Sequence, residues 1–120
     1  MSESEFFLYD YISIYSDERY AGRIKTIDIE RFFIEVLAFE KTDSLKFSKV
    51  VSGEPFRATG YLANAQGGYA FDTLDGIEEI NLIEIDIPLQ MNMELEKFIL
   101  AAAYQIAKRY SWIVDERREY

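Results

Sequence analysis

The chain predicts an α+β domain: a mostly antiparallel sheet with two helices packed on one face, in the order β-α-β-β-β-α-β. Three observations carry this. Several segments rich in β-branched and aromatic residues alternate with a period of two, as strands do. Two other segments repeat apolar residues at helical spacing. A run of consecutive strands stands between those two helices, which favours antiparallel pairing with the helices together on one side.

The first strand is Tyr9–Ser16, with Leu8, Ile12 and Ile14 on one face and Tyr9, Tyr11 and Tyr15 on the other. Residues 17–25 are polar and read as a connection. Thr26 is placed to cap a helix, with Asp28 and Glu30 in its first turn, where the helix dipole favours anions. Ile29, Phe32, Phe33 and Val36 form its apolar stripe, and the helix should end near Leu37 or Ala38. Leu45–Val51 is the second strand, its residues Leu45, Phe47, Lys49 and Val51 alternating with Lys46, Ser48 and Val50. Residues 52–55 make a turn, and Phe56–Ala63 is the third strand. Gly60 within it signals a bulge or a close backbone approach.

Asn64–Gly68 reads as a turn or loop, and Tyr69–Asp75 as a short edge strand or a loop. Ile80–Ile87 is the strongest strand pattern. It puts Ile83, Ile85 and Ile87 on one face and Ile80, Leu82, Glu84 and Asp86 on the other, and Pro88 ends it. Asn92 is placed to cap the second helix, which carries Glu94 and Glu96 at its start and Lys108 and Arg109 at its end. The stripe of this helix is Leu95, Phe98, Ile99, Ala102, Ala103, Ile106 and Tyr110, and its alanines allow close approach to a sheet. Trp112–Asp115 is a short last strand, and Glu116–Tyr120 a charged tail.

At 120 residues, the chain is expected to be one domain over residues 1–120. A hydrophobic share of 49% argues against disorder. The chain has no cysteine, so no disulfide framework exists. Acids occupy the opening Met1-Ser-Glu-Ser-Glu5, where a signal peptide would be basic, and the apolar runs are short of a membrane span. A cytoplasmic location is therefore expected. The net charge of −9 disfavours nucleic acid and anionic membranes as partners, because both are bound through Lys and Arg.

That charge is concentrated. From Ala58 to Glu96 there is no lysine or arginine, yet there are eight carboxylates. Such a segment repels itself, which is tolerated where solubility or attraction to a basic partner is gained. Chemistry has few footholds here. The chain has no histidine, so neither a Ser-His-Asp nor a Cys-His arrangement can form. The carboxylates around Asp72, Asp75 and Gly76 lack calcium-loop spacing, and zinc or copper would want His or Cys. Glu84 and Asp86 share a strand face and could in principle serve as paired carboxylates, but such pairs are far more often solvated. No catalytic residue, metal or cofactor is expected. Surfaces remain. Tyr61, Tyr69 and Phe71 lie near Asp72 and Asp75, followed by Glu84 and Asp86, and aromatic anchors ringed by charge are the usual make-up of a protein-binding patch.

Taken end to end, the layout resembles the small immunity proteins encoded beside bacterial polymorphic toxins. The pieces that carry the resemblance are the Tyr11–Tyr15 strand, Ile27–Phe33 with Phe39 closing the helix segment, the Gly-rich acidic middle leading to Ile80–Pro88, and Ala107–Trp112 with Val114–Glu116. The resemblance implies a cytoplasmic inhibitor that binds one cognate toxin and blocks its active site, without catalytic residues of its own. Many such toxins act on nucleic acids or nucleotides and have basic clefts, which an acidic surface would match. The contact residues expected are Tyr69, Phe71, Asp72, Asp75, Glu84 and Asp86, on a chain that alone is a monomer or weak dimer. The alternative is a dimeric regulatory ligand-binding module that uses the tyrosine face of the first strand.

Overall fold

The computed structural model describes residues 9–51, 53–66, 68, 76–88 and 93–116. In chain order the elements are β1 (Tyr9–Tyr15), β2 (Ile24–Lys25), α1 (Thr26–Arg31) running on into a π-helical turn (Phe32–Val36), β3 (Glu40–Asp43), β4 (Lys46–Val51), β5 (Glu54–Tyr61), β6 (Glu79–Ile80), β7 (Leu82–Pro88), α2 (Met93–Tyr110) and β8 (Ile113–Glu116). Six strands form one sheet in the order β3-β4-β5-β7-β1-β8, and β2 pairs with β6 in a two-stranded ladder. Every pairing is antiparallel. The α+β class follows as expected. Two small pieces were not foreseen: the β2–β6 ladder, and the edge strand β3, whose four residues are all exposed and so carry no apolar alternation.

Period-two alternation builds the core. Ile12 and Ile14 on β1 lie opposite Ile85 and Ile83 on β7, and Ala58 of β5 lies on the other side of Ile85. All five are fully buried. Both helices cover this face. Helix α2 touches β1, β4, β7 and β8 and buries Leu95, Ile99, Ala102, Ala103 and Ile106, so the alanines do bring it close to the sheet. A chain of phenylalanines joins the layers: Phe33 stacks on Phe47 at 4.5 Å, then Phe39, Phe56 and Phe98 follow edge to face. Such ring pairs add to the area they bury. Helix α2 stops at Ser111, which adopts a left-handed φ of 59° while the Trp112 N–H donates to the Ala107 carbonyl at 2.9 Å.

Four local expectations are corrected. Thr26 does not cap α1: it is the first helical residue, Lys25 precedes it without a side-chain cap, and the Thr26 hydroxyl donates to the Ile77 carbonyl at 2.7 Å. Val36 is exposed and Leu37 is buried in its place. The Leu37 N–H donates to the Phe32 carbonyl five residues back, and this wider turn moves the inward position on by one residue. Ile80 is fully buried in the core, not on the polar face, because the chain breaks at Asn81 between β6 and β7. Trp112 lies just before the last strand. Asn92 falls outside the described residues.

Gly60 marks a close approach. A Cβ there would stand 3.0 Å from Ile80 Cδ1 and 3.1 Å from Leu45 Cδ2, and the Gly60 N–H donates to the Leu45 carbonyl at 2.9 Å. Lys49 points into the apolar face for a reason the alternation did not reveal. Its ammonium donates to the Leu37 carbonyl at 2.9 Å, at the end of the π turn, and stands 4.9 Å over the Phe98 ring.

Candidate functional site

Alternation has a second consequence: residues not facing the helices line the opposite face of the same sheet. Register fixes their layout in rows. Tyr61, Leu82, Tyr15 and Ile113 form one row across β5, β7, β1 and β8. Lys46, Thr59, Glu84, Ser13 and Asp115 form the next, from β4 to β8. In the third, Ser48 faces Arg57, and Asp86 faces Tyr11. Among the described residues no helix crosses this face. Leu82 and Ser13 are buried beneath their neighbours, while Tyr11, Tyr15, Tyr61, Glu84 and Asp86 are half-buried. The result is an open platform of tyrosines and carboxylates.

Asn81 sets the parity of β7. It is fully buried, and its side-chain oxygen accepts from the Ala63 N–H at 2.7 Å. Its amide donates to the carbonyls of Ala63 at 2.8 Å and Tyr20 at 2.9 Å. Its backbone N–H donates to the Tyr61 carbonyl, and its carbonyl accepts from the Ser16 N–H. The clamp holds the break before β7, so Leu82, Glu84 and Asp86 face outward while Ile83, Ile85 and Ile87 face the core. A lone asparagine in an apolar run was the available signal.

The electrostatics of the face are coupled. Burial raises the Asp86 pKa above its ordinary value, and the nearby Arg57 guanidinium offsets part of this. Arg57 Nε lies 3.8 Å from Asp86 Oδ2. Burial, then the Glu84 charge, raises the Tyr61 phenol. Burial, then Glu18 and Asp115, raises that of Tyr15. Three carboxylates on β7 and β8 therefore act on the tyrosines between and beside them. A groove of about 410 Å³ runs beside Asp86, with Lys46 and Arg57 on one wall, Glu84 and Asp86 on the other, and Thr42, Thr59 and Tyr61 along it.

Of the expected contact residues, Glu84 and Asp86 are brought together on this face. Tyr69, Phe71, Asp72 and Asp75 lie outside the described residues. Tyr11, Tyr15, Tyr61, Asp115 and Arg57 join the site through strand neighbours that are far apart in sequence. The acidic third also has counter-charges that its own sequence lacks: Arg57 beside Asp86, and Arg23 at 3.8 Å from Glu79. Both pairs are long and at least partly open to solvent, so each stabilises the fold by at most about 1 kcal/mol. Among the described residues no cluster of three or more acidic, Cys or His side chains could hold a metal ion, and no helix is long and apolar enough to cross a membrane. What the arrangement can do chemically is accept hydrogen bonds and cations at its carboxylates and offer ring faces beside them.

No protein-family model, curated protein or solved structure matches this chain.

Proposed function

We propose that this chain is an immunity protein that binds one cognate bacterial toxin domain and neutralises it by occluding the active site with the acidic, tyrosine-bearing face of its sheet. The observation that supports this reading is the shared face. Glu84 and Asp86, singled out from sequence, stand among Tyr11, Tyr15, Tyr61 and Asp115 on a platform that no helix covers among the described residues. Tyrosines lose little entropy when they become anchors, and carboxylates beside them receive Arg or Lys from a basic cleft. The negative field speeds encounter with such a cleft and repels nucleic acid and anionic membranes. The chain works stoichiometrically in this reading, needs no cofactor, and acts in the cytoplasm, where an arriving toxin finds its substrate.

The test is titration of the purified chain against the toxin domain encoded next to it, with toxin activity and calorimetric affinity as readouts. Stoichiometric inhibition is expected. Reversing Asp72, Asp75, Glu84 and Asp86 to lysine together should weaken binding at least about a hundredfold, since one buried charged contact is worth roughly 2–5 kcal/mol. Unchanged affinity would remove the acidic face from the mechanism.

A further inference from the structure

We propose that, in the absence of a partner, the chain pairs with a second copy of itself through the same sheet face, in a two-fold sandwich centred between β5 and β7. The proposal shares its surface with the function above but does not depend on the toxin's existence. Its ground is the division of charge at the centre of the sheet, where Arg57 of β5 stands beside the carboxylates Glu84 and Asp86 of β7. The line between β5 and β7 halves the six-stranded sheet, leaving β3, β4 and β5 on one side and β7, β1 and β8 on the other. Outward cations, Lys46 and Arg57, belong to the first half. The outward carboxylates Glu84, Asp86 and Asp115 belong to the second. Two carboxylates of the edge strand, Glu40 opposite Ser48 and Asp43 opposite Lys46, are the exceptions at the rim.

A two-fold axis parallel to the strands, lying above that central line, lays each half on the other half of the second copy and keeps each row opposite itself. Arg57 then meets Asp86 of the second copy, and Asp86 meets Arg57. Thr59 faces Glu84, and Tyr61 lies over the row of the buried Leu82. The Arg57–Asp86 pair within each chain keeps 60% and 39% of its side-chain surface exposed. Two such pairs brought together close into a ring of four alternating charges. Packed sheets sit about 30° apart, so rows near the axis stay aligned while rim rows drift. The central Arg57–Asp86 contact therefore decides the association. Six strands about 4.8 Å apart and about six residues long present roughly 600 Å² per copy. That is the lower limit for a stable interface, so the dimer is weak and forms at high protein concentration.

The experiment is sedimentation equilibrium on four samples: the wild-type chain, R57D, D86R, and an equimolar mixture of the two variants, each checked for native circular dichroism. The wild type should show a reversible monomer–dimer equilibrium. Each single reversal sets like charges across the axis and should weaken it at least about tenfold. The mixture should form a heterodimer, because one copy then offers only acids and the other only bases at the centre. A merely structural role for the Arg57–Asp86 pair would not be repaired by mixing two separate chains. A wild-type chain that stays monomeric to about 1 mM would overturn the proposal, as would variants that dimerise as well as wild type or a mixture that stays monomeric. The toxin titration separates the two readings. A dimer that ignores toxin leaves the pairing standing and removes the inhibitor reading. Toxin binding by a strictly monomeric chain does the reverse.

Discussion

Asn81 is the residue whose replacement tests most directly how the fold presents its outer face. In Asn81→Ala the Ala63 N–H and carbonyl lose buried partners, and the Tyr20 carbonyl loses a partly buried one. An unmade buried bond costs about 1–3 kcal/mol, and water can replace the Tyr20 contact more readily than the other two. The expected loss is about 3 kcal/mol, a large share of the roughly 5–15 kcal/mol that holds a domain of this size. It corresponds to a fall in Tm of about 12 °C. Asn81→Asp keeps the shape but reverses two donors: its carboxylate can still accept from the Ala63 N–H, and it faces two carbonyl oxygens. At neutral pH Asn81→Asp should therefore be less stable than Asn81→Ala. The gap should narrow on acidification, because protonation removes the charge and restores one donor. Urea unfolding of the three proteins at pH 7 and pH 5 measures this. If Asn81→Asp matched wild type at pH 7, the hydrogen-bond assignment at the break would be wrong.

Three further outcomes follow from local geometry. Ser111→Gly should stabilise the protein by about 1 kcal/mol in urea unfolding, because the left-handed φ of 59° that ends α2 strains any residue with a Cβ. Gly60→Val should destabilise it by about 2 kcal/mol, since even the first added carbon meets Ile80 and Leu45 at 3.0 and 3.1 Å. Asp17 accepts from the backbone N–H groups of Arg19, Ala21 and Gly22, and these bonds, led by those from Ala21 and Gly22, hold its pKa below the ordinary 3.8. A lowered folded-state pKa stabilises the native state above the unfolded-state pKa, and this contribution is lost as pH falls through the folded value. Unfolding midpoints of Asp17→Asn and wild type should differ by a constant amount from pH 7 to about pH 5, then converge below 3.8.

Much of the fold was legible because alternation and helical spacing are local. β1, β4, β5, β7, α1 and α2 all follow from patterns of side chains a few residues apart. The misreadings share one physical origin: a local pattern completed by a distant partner. Val36 yielded its inward place to Leu37 when the helix widened to a π turn. Ile80 crossed to the core because Asn81 is held by Tyr20 and Ala63. Lys49 sits on an apolar face because Leu37 offers it a carbonyl. The charged edge strand β3 has no alternation to read, since none of its side chains needs to be buried.

The candidate site divides in the same way. By itself the sequence determined that the chain is acidic, that it lacks histidine and cysteine, and that Glu84 and Asp86 would share one side of a strand, because residues two apart on an extended chain must. Only the tertiary structure decided which strands flank that one. Placing β7 between β5 and β1 put Tyr61 and Arg57 on one side of the carboxylates and Tyr11 and Tyr15 on the other. Strand order is a global property, set by how the apolar faces of six strands and two helices can be buried together. No stretch of residues taken alone contains it.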